Sequence, residues 1–284
     1  MRVFVTGATG YIGSAVIREL MDAGHQVVGL VRSDHSAAKL QEAGAQVHRG
    51  DIDDLDSLRS GAAAADGVIH LAFNHDFSNF AGALTADLHA VEAMGAALAG
   101  SGKPFVITTH ANGVAAENAA LSLAERGVRT SIVELCPSVH GEGDTGFVPR
   151  LIHIARTKGF AAYVDEGTNR WPAVHRLDAA HLYRLALEKA PAGSRLHGVA
   201  DEGVPFRDIA SIIGKHLNVP VVSISREEAD AHFGFLSTLA ALDIPRSSAA
   251  TQALLGWRPV QPALIPDLEQ SHYFNNGLER SRPS

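Results

Sequence analysis

Close to its start the chain reads Thr6-Gly7-Ala8-Thr9-Gly10-Tyr11-Ile12-Gly13. Glycines at this spacing, just ahead of a helical pattern, can cradle a phosphate. Gly7 permits a tight turn, and Gly10 lets backbone amides approach a pyrophosphate with no Cβ in the way. Gly13 lets the helix pack close to the preceding strand. Thr9, Tyr11 and Ile12 supply further backbone around the same ligand. The helix N-terminus adds unpaired N–H groups and the positive end of its dipole. A glycine-rich turn with no ligand is the competing reading. The loop's place in a strand–loop–helix unit of the right size, starting at residue 2, favours the phosphate cradle.

The residues after Gly29-Leu30-Val31 bear on which dinucleotide that would be. A site preferring NAD ends this strand with Asp or Glu, which accepts from both ribose hydroxyls. Here the position reads Val31, followed by Arg32 and Ser33. A carboxylate would repel a 2′-phosphate, whereas Arg32 can form a charge-assisted fork with it and Ser33 can donate a hydroxyl. NADP is therefore expected ahead of NAD. The alternative is a solvated Arg32 stacking on the adenine of either cofactor.

These groups need a scaffold, and the periodicity supplies one. Short apolar runs over 3–5, 26–31, 45–48, 67–72, 104–108 and 129–135 read as strands, with a helix over 11–23 after the first. Val- and Ile-rich strands alternating with helices imply a parallel sheet covered on both faces. Helical patterns recur over 177–189 and 206–217, and proline thickens towards the C-terminus at Pro245, Pro259, Pro262 and Pro266. The fold class expected is α/β, a Rossmann-type doubly wound sheet with a smaller C-terminal substrate-binding part. The boundaries expected are 1–138 plus 173–190 for the dinucleotide domain, and 139–172 plus 191–284 for the smaller part. Substrate would lie between the two, outside the carboxyl ends of the strands.

Composition narrows the function classes. The chain has 284 residues, 46% of them hydrophobic, and a net charge of -7. That charge argues against nucleic acid as a partner. Cys136 is the only cysteine, so no internal disulfide forms, which fits a reducing cytoplasm. With no membrane-length apolar run and no signal peptide, a cytoplasmic protein with no membrane partner is expected. The fifteen histidines are scattered, without helical metal-ligand spacing beside a carboxylate motif, so no metal is expected.

The glycine spacing resembles the Thr-Gly-x-x-Gly-x-x-Gly loop of extended short-chain dehydrogenase/reductases, the NAD(P)-dependent epimerase/dehydratase-like branch. Other segments extend the resemblance over most of the chain. Asp51-Ile52 is similar to that family's adenine contact, and His70-Leu71-Ala72 to the segment under the adenosine ribose. Cys136-Pro137-Ser138-Val139-His140-Gly141 resembles the loop beside the nicotinamide, which implies cofactor contacts at Pro137 and Ser138. Val174-His175-Arg176-Leu177-Asp178 resembles the segment near the substrate part, and Leu255-Gly256-Trp257-Arg258-Pro259 a packing motif near the C-terminus.

One family feature is missing. Members usually carry Tyr-x-x-x-Lys on the helix after the fifth strand, where tyrosine delivers a proton and lysine holds the ribose. The four tyrosines here, Tyr11, Tyr163, Tyr183 and Tyr273, are followed four residues later by Ala15, Gly167, Leu187 and Gly277. Alignment on Glu117 puts Thr109 and Gly113 at the two positions. Glu134 also stands where relatives often have arginine. The family places a catalytic Ser or Thr where Thr108-Thr109-His110 ends the fifth strand. Thr108 is therefore expected at the cofactor, and Thr109 and His110 are catalytic candidates, His110 as general acid because histidine titrates near neutral pH. The hydroxyls could equally satisfy only backbone. His140 is a further catalytic candidate beside the nicotinamide, or else an anchor of its loop.

Tyr163, Asn169, Arg170, Trp171 and His175, with Arg176, form a polar and aromatic group expected to face substrate, although Trp171 could be plain core. Cys136 reads as a buried packing residue. The function expected is an NADP-dependent oxidoreductase or epimerase-like enzyme on a small carbonyl or alcohol, with an unconventional proton relay. A non-catalytic NADP-binding redox sensor is the alternative. The helices after the fourth and fifth strands could pair two copies into a homodimer.

Overall fold

The computed structural model describes residues 1–74, 79–109 and 113–274. The chain divides into two compact units, one of Met1–Leu135, Leu177–Gly198 and Ala249–Arg258, the other of Cys136–Arg176, Val199–Ser248 and Pro259–Ser284.

The first unit is built on a seven-stranded sheet. Its strands are β1 (Arg2–Thr6), β2 (Gln26–Val31), β3 (Gln46–Arg49), β4 (Gly67–His70), β5 (Pro104–Thr108), β6 (Arg129–Leu135) and, numbering along the whole chain, β10 (Ser194–Gly198). They lie in the order β10-β6-β5-β4-β1-β2-β3, and every pairing is parallel. The order reverses between β1 and β4, where open α/β sheets leave a crevice at the carboxyl ends of the strands. Helices α1 (Tyr11–Asp22), α2 (Asp34–Glu42), α3 (Leu55–Ala63), α4 (Phe80–Leu98), α5 (Val114–Glu125), α7 (Arg176–Lys189) and α11 (Ala249–Leu255) complete the unit. Alternation along the strands puts Phe4, Val68, Phe105 and Ile107 into one core with Leu58, Val91, Met94 and Leu123 from the helices. Each such side chain taken fully out of water contributes roughly 1.5–3 kcal/mol.

Residues 191–198 and 249–258 were expected in the smaller part, and here they belong to the first unit. Strand β10 pairs with β6 in the register Leu196↔Val133, with Leu196 fully buried. The His197 amide donates to Thr251 Oγ1 at 2.7 Å, which ties α11 to β10. Trp257 is fully buried, and its indole N–H donates to the Asp178 carbonyl at 3.0 Å, so the Leu-Gly-Trp segment packs this unit.

The second unit centres on β9 (Arg170–His175), which pairs parallel with β7 (Ser138–His140) and antiparallel with β11 (Asp201–Pro205). A separate parallel pair joins β8 (Ala161–Val164) to β12 (Val221–Ile224). Its helices are α6 (Phe147–Lys158), α8 (Phe206–Leu217), α9 (Ala229–Phe233), α10 (Ser237–Ala241) and α12 (Leu264–Leu268). The spacing of Phe206, Ile209, Ala210 and Ile213 gives α8 one apolar stripe, and all four are buried. The helix ends at Asn218, which takes the left-handed conformation two residues before Pro220. Phe206 packs edge-on against Trp171, with ring centroids 4.9 Å apart, at the centre of this core.

Among the described residues no helix is long and apolar enough to cross a membrane. Truncating Trp257 to alanine should leave a cavity and an unanswered carbonyl in the first unit. A loss of about 3–5 kcal/mol is expected, read as a lower urea midpoint with unchanged slope.

Candidate functional site

The glycine loop joins β1 to α1 and takes its shape from backbone contacts that only glycine allows. Gly7 has φ +66°, and a Cβ there would stand 2.7 Å from both the Leu71 carbonyl carbon and the Ala72 nitrogen. A Cβ on Gly13 would stand 2.1 Å from the Gly7 carbonyl oxygen. The Gly10 amide donates to that same oxygen at 3.0 Å, and Gly10 caps α1 without any side-chain hydrogen bond. With no acidic residue in the first turn, the amides opening α1 keep their affinity for an anion. These features fit the pyrophosphate of a dinucleotide. Gly7, Thr9, Gly10, Tyr11, Ile12, Leu71 and Ala72 all retain some exposed surface, while Gly13 is buried at the packing contact.

The ends of β2 and β3 supply the next group. Val31 is buried, so no carboxylate ends β2, and Arg32 follows with 82% of its side chain exposed. Its guanidinium lies 3.8 Å from the Asp51 carboxylate. Ser33 caps α2, accepting from the Ser36 amide at 3.2 Å. Ile52 is half-buried beside Asp51. Arg32, Ser33, Asp51 and Ile52 therefore stand at the same carboxyl edge of the sheet as the glycine loop.

At the end of β5 both threonine hydroxyls are engaged. Thr108 Oγ1 donates to the His70 carbonyl at 3.1 Å and lies 2.7 Å from the hydroxyl of buried Tyr183. Thr108 has given its one proton to that carbonyl, so the Tyr183 hydroxyl donates to Thr108, and burial pushes the Tyr183 phenol up. Thr109 donates to Glu117, whose other oxygen takes Arg195 at 2.5 Å. Burial pushes the Glu117 carboxyl up, but the hydrogen bonds from Thr109 and Arg195 outweigh it and hold the group below the ordinary glutamate range. Glu134 lies 3.4 Å from His197. His110 lies outside the described residues.

The remaining candidates belong to the second unit. Ser138 is buried on β7, two residues after Cys136 and next to Pro137. Burial pushes the Cys136 thiol up, and its Sγ contacts the Ser138 carbonyl at 3.5 Å, so it is a packing residue. His140 is fully buried, and its Nδ1 lies 2.7 Å from the Asp267 carboxylate. That pair anchors the loop, and with no exposed surface His140 does not meet a substrate as it stands. Asp144 accepts from the Gly146 amide at 2.6 Å and the Tyr273 hydroxyl at 3.1 Å, and burial pushes its carboxyl up to about 6.

Three members of the expected substrate group are taken by the fold itself. Trp171 is fully buried and donates to the Leu239 carbonyl at 3.0 Å. Asn169 donates to the carbonyls of Ala240 and Leu242, and Arg170 forks onto Asp243 at 3.0 Å. They hold the 239–243 segment against β9, a use for polar side chains that sequence spacing does not distinguish from substrate binding. Tyr163 is half-buried, and His175 packs edge-on to His140 at 5.4 Å between ring centroids. Sequence reasoning passed over Asp87, Asp144 and Asp267. The signal was a carboxylate at a helical core position in two of the cases: Asp87 on α4 and Asp267 on α12 are both buried.

Known proteins agree with this architecture. The model of the NAD dependent epimerase/dehydratase family matches residues 3–97. An uncharacterized protein of Schizosaccharomyces pombe is 49% identical over 296 residues, covering 96% of this chain and all of the relative. A 2-alkyl-3-oxoalkanoate reductase of Stenotrophomonas maltophilia is 27% identical over 78% of this chain and 77% of its own. Among solved structures, a double mutant of the dTDP-glucose 4,6-dehydratase DesIV from Streptomyces venezuelae superposes with a TM-score of 0.76 at 18% identity, over 98% of both chains. The chain belongs to the NAD-dependent epimerase/dehydratase family, within the short-chain dehydrogenase/reductases.

Two outcomes follow from this geometry. Gly13→Ala forces the loop off the helix, with an overpacking cost of about 1–3 kcal/mol in chemical unfolding and loss of dinucleotide binding in a fluorescence titration. Asp144 has its folded pKa raised from 3.8 to about 6, so stability present below pH 4 is lost as pH rises through 6. Asp144→Asn should therefore gain roughly 2–3 kcal/mol at pH 7 and nothing at pH 4, measured by urea unfolding at both values.

Proposed function

We propose that this chain is an NADP-dependent oxidoreductase or epimerase-like enzyme acting on a small carbonyl or alcohol. The observation that carries the cofactor choice is the end of β2. Buried Val31 occupies the place of the ribose-binding carboxylate, and exposed Arg32 and the helix-capping Ser33 follow it beside the glycine loop. Arg32 is the fork for a 2′-phosphate, and its only ion-pair partner among the described residues is Asp51, at 3.8 Å. Gly7, Gly10 and Gly13 shape the pyrophosphate seat. Asp51 and Ile52 border the adenine, and Leu71 and Ala72 the adenosine ribose. A bound nicotinamide supplies hydride transfer to or from carbon.

The substrate class favoured is a ketone, since the Stenotrophomonas relative carries the name of a 3-oxoalkanoate reductase. Proton transfer is assigned to His110, next to Thr109, whose hydroxyl is held on Glu117. A second reading rests on the missing Tyr-x-x-x-Lys pair. In that reading the chain binds NADP without turnover and senses redox state.

Calorimetric titration with NADPH, NADP, NADH and NAD tests the cofactor choice. NADPH should bind more tightly than NADH, and Arg32→Ala should weaken NADPH about tenfold while sparing NADH, as expected for loss of one exposed charge-assisted hydrogen bond. Equal loss for both cofactors would refute the 2′-phosphate assignment. Incubation with NADPH and a panel of 3-oxo acids, esters and other ketones separates the two readings. Oxidation of NADPH by any of them supports the enzyme, and tight binding with no turnover supports the sensor.

A further inference from the structure

On α4, the residues Ala83, Asp87, Ala90, Val91, Met94 and Leu98 are buried. Their spacing is that of a helix stripe laid on a sheet. Asp87 alone among them carries a charge, with 4% of its side chain exposed. A carboxylate in such a place must be paired, because desolvating it without a partner is costly. Its partner is His70, whose Nε2 lies 3.2 Å from Asp87 Oδ1.

His70 ends β4 opposite Thr6 of β1 in the parallel register. The two side chains thus share a sheet face, and His70 Nδ1 lies 2.6 Å from Thr6 Oγ1. That hydroxyl also receives the amides of Leu71 and Ala72, each at 3.2 Å. Counting protons settles the directions. A hydroxyl has one hydrogen to give and two lone pairs. Both lone pairs face amides, that of Ala72 and that of Leu71, which is shared with the Thr6 carbonyl at 3.3 Å, so Thr6 donates to Nδ1. The ring proton then resides on Nε2 and is donated to Asp87.

The two amides gathered by Thr6 belong to the segment that Gly7 rests on, where a Cβ would stand 2.7 Å from backbone. Asp87, His70 and Thr6 therefore form a buried chain running from a helix core to the floor of the glycine loop. We propose that His70 and Asp87 are positioning residues for dinucleotide binding. Asp87 fixes the Nε2–H tautomer, so that Thr6 is free to accept both floor amides and hold the loop in its binding shape. This rests on the reading that the loop seats a dinucleotide.

The test combines NADPH titration with 15N–1H correlation spectra of the histidine rings, in the full chain and in Thr6→Val, Thr6→Ser and Asp87→Asn, each checked for folding by circular dichroism. In the unsubstituted protein the His70 ring should be the Nε2–H tautomer. Asp87→Asn replaces the carboxylate with a neutral amide that can accept from or donate to Nε2, so the Nε2–H preference should weaken, an Nδ1–H form should appear and NADPH affinity should fall by up to about tenfold. Thr6→Val should lose a similar factor, and Thr6→Ser, which restores the hydroxyl, should bind within about twofold of the parent. An Nδ1–H or doubly protonated ring in the parent would overturn the proposal. So would folded Thr6→Val and Asp87→Asn chains that bind NADPH as the parent does, with the cofactor reading left intact. A parent chain that binds no dinucleotide at all refutes the cofactor reading, and this proposal with it.

Discussion

Backbone meets backbone at the end of β1, and the first unit is arranged around that contact. The Gly7 carbonyl oxygen receives the Gly10 amide, and its neighbourhood leaves no room for a Cβ on Gly13. Gly7 itself lies directly on the Leu71–Ala72 backbone. Three segments from β1, α1 and β4 thus approach to distances that side chains would forbid. The approach occurs where the strand order reverses, so the crevice of the open sheet and the positive end of α1 coincide. An anion seat results from the close packing, without any dedicated basic side chain in the loop.

Such a contact needs support, because glycines lower the cost of distorting a loop as well as of forming it. The support comes from the polar edge of an otherwise apolar sheet face. Phe4 and Val68 fill the core, and the next residues on the same face, Thr6 and His70, turn to hydrogen bonding. On the opposite face Thr108 of β5 adds to this edge by bonding the His70 carbonyl and Tyr183. Each of these groups is satisfied, as buried polar networks must be if they are to rigidify their surroundings.

The second unit uses polar side chains in another way. His140 with Asp267, and Asp144 with Tyr273, tie the loop after β7 to the segment around α12. Asn169, Arg170 and Trp171 do the same for the segment around residues 239–243. These segments have little regular structure of their own, so side-chain hydrogen bonds and one fully buried indole replace the backbone ladders that hold the first unit.

The sequence alone determined the parallel sheet and the loop on it. Strands β2, β5 and β6 and helix α8 fall on the residues that their apolar periodicity marks, and the three glycines state their own geometry, because those signals are local. It also established the absence of a Tyr-x-x-x-Lys pair, which is a matter of reading letters. The tertiary structure alone decided the rest. Strand β10, reading Ser-Arg-Leu-His-Gly, has one apolar residue at its centre and becomes a strand only because β6 offers an unpaired edge. The polar group on β9 resembled a substrate surface until the 239–243 segment came to meet it, more than sixty residues away. Asp87 acquires its role only from His70 and Thr6, which the fold brings beside it. A polar side chain carries no mark of its partner in sequence, since hydrogen bonds are made between groups that only the folded chain brings within about 3 Å.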